Sequence, residues 1–80
     1  MTSPEPVWKK EIRYSYPDQI GHVVGVNGIN VKGWLTRLGC STVIDEYKKL
    51  IVILGGSDNA VFQTALEVQE KLLLYWRFIN

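Results

Sequence analysis

Two glycines separated by two residues, Gly25-Val26-Asn27-Gly28, form the segment best suited to bind a ligand through its backbone. Because glycine has no Cβ atom, a sugar-phosphate chain can approach its main chain closely, and the residue readily adopts the positive φ angles of tight turns. A helix that begins near Ile29 would also direct unpaired N–H groups and a positive dipole end at a phosphate. By itself the pattern predicts a tight turn between two helices, which could bind an anion through its backbone or bind nothing.

The charge around this loop is sparse. The chain has a net charge of +1 with its one histidine neutral, whereas domains that bind duplex DNA or long RNA electrostatically are strongly basic. The middle loop positions, Val26 and Asn27, carry no cation, so direct phosphate pairing is lost there. Lys32 follows in the predicted helix, and Lys48 and Lys49 come later in the chain. We therefore expect weak affinity for nucleic acid that depends on local geometry.

The sequence offers no arrangement for catalysis or metal binding. Asp45 and Glu46 are adjacent on a predicted strand, so their carboxylates point to opposite faces and cannot act as an acid–base pair. The single cysteine, Cys40, fits a small buried hydrophobe, and one Cys with one His cannot build a metal cluster. We expect a protein that is not an enzyme and has no cofactor. The lone cysteine and the lack of a secretory signal predict an intracellular location, cytoplasmic or nuclear.

The elements that must position the loop follow from hydrophobic periodicity and turn residues. Residues 1–6 are predicted to be a flexible leader, and residues 7–80 a single domain. The predicted order is a strand over 7–16, a helix over 18–24, the turn at 25–28, a helix over 29–38, strands over 41–46 and 50–54, and a final helix capped by Ser57 or Asp58. This order indicates an α+β fold, with helices on one face of a three-stranded antiparallel sheet.

Apolar residues at helical spacing give the predicted core faces. The second helix would bury Val31, Trp34, Leu35 and Leu38, and Gly39 would end it in a left-handed C-cap. The first helix would turn Ile20, Val23 and Val24 inward. The last helix carries one apolar stripe, formed by Val61, Ala65, Val68, Leu72, Trp76 and Ile79.

The stretch from Ile20 to Lys32, in this order of elements, resembles the signature of the type I (eukaryotic-type) KH domain. That family's pattern is an aliphatic residue and Gly, two residues, an aliphatic residue, Gly-x-x-Gly, two residues, an aliphatic residue and often Lys. This sequence fills the pattern with Ile20-Gly21, Val24, the Gly25–Gly28 loop, Val31 and Lys32. The resemblance extends to Trp34 and Gly39, and covers about Lys10 to Leu74.

A KH domain clamps about four nucleotides of single-stranded RNA or DNA with its Gly-x-x-Gly backbone and lays the bases on an apolar groove. The resemblance implies non-catalytic binding of single-stranded RNA, as one domain of a multidomain protein in post-transcriptional regulation. The implied contact residues are Gly21, His22, Val24, Gly25, Val26, Asn27, Gly28, Ile29, Val31, Lys32, Thr42 and Ile44. For His22, the alternative is an exposed helix residue with no role.

The last predicted helix is apolar on more than one face, which suggests a second surface to be covered. KH domains can pair through the first strand and last helix. The alternative function is therefore a protein-interaction or homodimerisation module with reduced nucleic-acid binding. The implied interaction surface consists of Trp8, Tyr14, Tyr16, Leu73, Tyr75, Trp76 and Phe78. No apolar run reaches the ~18 residues of a membrane span, so we expect no membrane partner.

Overall fold

The computed structural model describes the backbone of residues 7–79 and the side chains in that range, except those of Trp76, Phe78 and Ile79. The predicted leader over 1–6 lies outside the described residues. In chain order the elements are β1 (Trp8–Arg13), α1 (Asp18–Val24), a 3-10 turn (Val26–Gly28), α2 (Ile29–Leu38), β2 (Ser41–Asp45), β3 (Leu50–Gly55) and α3 (Asp58–Ile79).

The three strands form one antiparallel sheet in the order β1-β3-β2, so β1 lies at an edge. Ile12, Ile51 and Ile44 share one row across the sheet. Ile51 and Ile53 are fully buried, because they lie on the face that the helices cover. The predicted α+β fold and its β-α-α-β-β-α order are confirmed. The 3-10 turn is the addition to that order.

The first strand is shorter than predicted, because a side chain takes over its hydrogen bonding. Gln19 is buried in α1, and its Oε1 accepts hydrogen bonds from the backbone N–H groups of Ser15 (2.9 Å) and Tyr16 (2.8 Å). The strand therefore ends at Arg13, and the chain turns towards α1 instead of continuing to Tyr16. The alternation of apolar and polar residues along the strand could not reveal this turn, since the turn depends on Gln19, four positions after Ser15.

The helices bury most of the predicted core faces. Trp34 and Val23 are inaccessible to solvent, and Val31 and Leu38 pack against the same cluster. The prediction for Leu35 was wrong, because 55% of this residue is exposed. Successive helical residues are rotated by about 100°, so the neighbour of a central core residue faces solvent when only one side of a helix is covered.

The last helix uses its predicted stripe only in part. Val61, Ala65 and Val68 are buried, whereas Leu72 is half-buried against the core. Thr64 is also fully buried, and its hydroxyl donates to the carbonyl of Ala60 at 2.9 Å, which satisfies the polar group. Polar residues within an apolar stripe are therefore tolerated here, because the helix backbone supplies a hydrogen-bond acceptor.

The residues predicted to begin α3 and to end α2 do so. Ser57 Oγ accepts a hydrogen bond from the N–H of Ala60 at 3.1 Å, which caps the start of α3. Gly39 ends α2 with a φ of 67°, and its N–H donates to the carbonyl of Leu35. Cys40, which follows, is fully buried, as expected for a small apolar residue.

Neighbouring residues of β3 test which face of the sheet is buried. We expect Ile53→Ala to lower the free energy of unfolding by about 2–5 kcal/mol, because it opens a cavity in the core. Val52→Ala, on the opposite face, is the control and should cost about 1 kcal/mol or less. Urea denaturation measures both. Equal losses would contradict the assignment of the two faces.

Candidate nucleic-acid interface

The loop between α1 and α2 is built from backbone conformations that few residues adopt. Gly25 has a φ of 81°, Asn27 of 56° and Gly28 of 74°. Asparagine is among the non-glycine residues that best tolerate this region. The N–H of Gly28 donates to the carbonyl of Gly25 at 3.0 Å, which closes the turn. The predicted tight turn at 25–28 is thus present. Of the two residues between its glycines, Asn27 also has a positive φ angle.

The two glycines are needed for different reasons. A Cβ atom on Gly25 would lie 2.9 Å from both Asn30 Nδ2 and Ile29 Cγ2, so this position has no room for a side chain. A Cβ on Gly28 would meet only ordinary contacts, the nearest being Lys32 Cε at 3.9 Å. Gly28 is therefore favoured by its φ angle. The same distance shows that the stem of Lys32 passes beside the loop.

Asn30 ties the two helices together. Its Nδ2 donates hydrogen bonds to the carbonyls of His22 (3.3 Å) and Val23 (3.1 Å), both in the last turn of α1. Carbonyls at a helix end have no partner within the helix, so a side chain from the next helix satisfies them here. Sequence reasoning missed this role. The signal was an amide residue in the first turn after the second glycine.

The N-terminus of α2 continues from the 3-10 turn of the loop, which pairs the first N–H of the helix. Among the described residues, no side chain forms a capping hydrogen bond at this end of α2, where Gly28 is the N-cap residue. The first turn of α2 contains no acidic residue. The N–H of Ile29 donates to the carbonyl of Val26, and both side chains are exposed. The positive end of the helix dipole therefore lies directly beside the loop, with Lys32 the nearest cation along α2.

The predicted groove residues are half-buried. Val24, Val31, Thr42 and Ile44 all have intermediate exposure, and Val31 and Ile44 also pack against the core. Thr42 Oγ1 is buried and has no hydrogen-bond partner among the described residues. Because that oxygen is enclosed, it cannot contact a base at the surface. The accessible surface of the four predicted groove residues is thus apolar.

A cavity of about 300 Å³ lies between α1 and the β2–β3 connection. Its lining includes Ile20 and Gly21 on one side and Glu46 and Lys49 on the other. Lys49 adopts a left-handed conformation with a φ of 57°, and its carbonyl accepts a hydrogen bond from the N–H of Tyr14 at 3.1 Å. This connection therefore brings a cation opposite Gly21.

His22 is separated from the groove. Its ring lies edge-to-face on the ring of Tyr75 in α3, with 5.4 Å between the ring centroids. The ring of Tyr16 also lies near Tyr75, with 6.4 Å between their centroids. The structure therefore places Lys32 and Val24 beside Gly28, whereas His22 lies in an aromatic cluster against α3 and lines a separate cavity with Gly25 and Val26.

The predicted interaction surface is only partly exposed. Trp8 and Tyr16 are about half exposed, at 48% and 49%, and Leu73 is exposed at 65%. Tyr14 and Tyr75 are buried, so the prediction of exposed aromatic rings at these two positions was wrong. Tyr14 follows the end of β1 and enters the core, and Tyr75 contacts α1 through His22. The side chains of Trp76 and Phe78 lie outside the described residues.

Residues 7–79 lack two further features. Within this range, no helix combines the length and apolar character needed to cross a bilayer. The same residues contain no cluster of three or more His, Cys, Asp or Glu side chains placed to hold a metal ion.

The sequence matches no protein-family model, and no curated protein matches it. The function is therefore inferred from the geometry of the loop and of the surfaces beside it.

Removing the amide of Asn30 tests how the loop is held. We expect Asn30→Ala to lower the free energy of unfolding by about 1–3 kcal/mol, because two partly buried carbonyls lose their donor. Amide hydrogen exchange should also accelerate at Gly25 and Gly28. Asn59→Ala, in the exposed first turn of α3, is the control. Unchanged protection of the loop amides would show that Asn30 does not hold the turn.

Proposed function

We propose that residues 7–79 form a type I KH domain that binds single-stranded RNA through the Gly25–Gly28 loop and catalyses no reaction. The observation that supports this most is the left-handed loop, held by Asn30 and placed against the uncapped N-terminus of α2. A backbone surface of this kind is suited to a sugar-phosphate chain, because the glycines add no side chain and the helix end attracts a negative charge.

Each part of the site has a role in this proposal. The loop and the first turn of α2 bind the phosphates, and Lys32 adds a positive charge beside Gly28. The bases lie on the apolar surface of Val24, Val31 and Ile44, with Lys49 on the far side. Backbone contacts of this kind also accept single-stranded DNA, because RNA is distinguished from DNA mainly through contacts to the 2′-hydroxyl.

The low charge of the chain favours a weak and short binding site. With a net charge of +1 and an uncharged pair at Val26 and Asn27, few phosphates are neutralised. Few phosphate contacts mean a shallow dependence of affinity on salt. A weak site of this size gains affinity when several domains on one protein bind the same RNA. We therefore propose that this domain acts in series with others.

Gly28 provides the sharpest test of the clamp. Gly28→Asp should weaken binding to a pool of short RNAs at least tenfold, because the carboxylate would face a phosphate and neutralise Lys32. Gly28→Asn is the matched control, since it has the same shape and tolerance of positive φ without the charge. Fluorescence anisotropy with labelled RNA measures both affinities. Equal binding by the two variants would contradict the proposed position of the phosphate.

The converse change adds a cation at the most exposed loop position. Val26 is 80% exposed, so Val26→Lys leaves the packing unchanged. One extra phosphate contact should steepen the slope of log affinity against log salt by about 0.7. A slope equal to that of the parent would argue against RNA passing over the loop.

A second candidate function is association with another protein through α3 and β1. Exposed apolar residues on α3, namely Phe62, Leu66 and Leu73, support this candidate. Leu73 also lines a cavity of about 360 Å³ between β1 and α3, together with Ile12 and Gln69. β1 is an edge strand, and unpaired edges readily pair with another chain. The partner that this arrangement best fits is a second copy of the chain.

Sedimentation equilibrium from micromolar to millimolar protein tests this second function. We expect a concentration-dependent dimer that Leu73→Glu weakens at least tenfold, because a charge would enter an apolar contact. Gln63→Glu, an exposed position of α3, is the control and should leave association unchanged. A strict monomer at every concentration would eliminate the second candidate. A dimer insensitive to Leu73→Glu would place the interface elsewhere.

A further inference from the structure

A third cavity lies beside α1, and the proposed clamp does not use it. It has a volume of about 780 Å³ and is lined by Asp18, Gly21, His22, Gly25, Val26 and Tyr75. We call it the α1–α3 cavity, because α1 and the loop form one wall and Tyr75 of α3 forms the other. Two of its lining residues, Gly25 and Val26, also belong to the loop.

Helix geometry places the groove and this cavity on either side of one ridge. At about 100° per residue, Asp18, His22 and Gly25 lie on one stripe of α1. Gly21 lies at the edge of that stripe and lines both the α1–α3 cavity and the smaller cavity beside Lys49. A Cβ atom placed on Gly21 would meet nothing within 4 Å. The surface of α1 between the two cavities therefore carries no side chain at Gly21, and an extended RNA strand can pass over the helix there.

The chemistry of the lining fits a base better than a phosphate. The described residues that line the α1–α3 cavity include the carboxylate of Asp18 but no lysine or arginine, so a phosphate would be repelled. The half-buried ring of His22 lies edge-to-face on the buried ring of Tyr75 and offers aromatic surface to the cavity, and Val26 adds exposed apolar surface. Bases stack on His and Tyr side chains, and a carboxylate accepts a hydrogen bond from the exocyclic amine of cytosine.

We propose that the α1–α3 cavity binds one unpaired base of the RNA strand whose backbone the Gly25–Gly28 loop holds. The strand crosses the ridge at Gly21, the base stacks on His22, and Asp18 accepts a hydrogen bond from its amine. A cytosine is therefore preferred over a uracil. This inference depends on the proposed function, because it concerns the nucleotides next to the clamped segment.

RNAs of different length test the proposed clamp and the proposed base subsite separately. We would measure the affinity of the parent for a randomised tetranucleotide, for the same RNA extended by two cytidines at either end, and for extensions carrying abasic residues. Extension at one end should tighten binding at least fivefold, because stacking of a base on an aromatic side chain contributes that much. The abasic extension, which adds phosphates without bases, should give no gain.

Variants then assign the gain to the cavity. His22→Ala should abolish the gain in affinity from the cytidine extension, measured as the ratio of the affinities of this variant for the extended RNA and for the tetranucleotide. Asp18→Asn should reduce the preference for cytidine over uridine. In the parent, the ring protons of His22 should shift with the cytidine extension and not with the abasic one. This measurement needs no variant that could disturb folding.

The outcomes distinguish the two proposals. If the parent does not bind the tetranucleotide, the clamp fails and the base subsite fails with it. If the tetranucleotide binds but extension gives no gain, or the abasic extension gives the same gain, only the base subsite is overturned. A gain that His22→Ala leaves intact, with no shift of the ring protons of His22, would also overturn it.

Discussion

The contact between the amide of Asn30 and the carbonyls of His22 and Val23 is the constraint on which the candidate site depends. A helix of seven residues is not stable alone, so α1 depends on its neighbours for its position. Asn30 fixes its end and, in the same contact, occupies the space that a side chain at position 25 would need. That residue must therefore be glycine. The direction of the α2 N-terminus, and the passage of Lys32 beside Gly28, follow from this one arrangement.

The core determines which sides of α1 are available for binding. Val23 lies in the core, α1 packs against α3 and α2, and the buried amide of Gln19 turns the end of β1 towards α1. Asp18 and Gly21 are the exposed residues of α1, and Ile20, His22 and Val24 are half-buried. In the proposal, the apolar surface that includes Val24 lies on one side of α1 and the α1–α3 cavity on the other. Gly21 lies between them. One short helix thus supplies both the proposed clamp and the proposed base subsite, which is why its attachment matters more than its own stability.

The parts of the structure that depend on local sequence could be predicted from it. Both helix boundaries around the loop follow from Pro17, the two loop glycines and Gly39, because these residues restrict the backbone where they occur. The rest depended on individual side-chain contacts, some within eight residues along the chain, that hydrophobic periodicity does not report. No local pattern reveals that Gln19 ends the first strand or that Tyr75 packs on His22. The double role of Asn30 at the loop was hidden for the same reason.

The central claim is that RNA passes over the loop between α1 and α2. The most direct test is an NMR titration of the isotope-labelled chain with pools of short single-stranded RNA, following the backbone amides. The account predicts saturable shifts centred on Gly25–Gly28 and the first turn of α2, with little change in β1 and the middle of α3. Shifts confined to β1 and α3, or no saturable shifts at millimolar RNA, would contradict it.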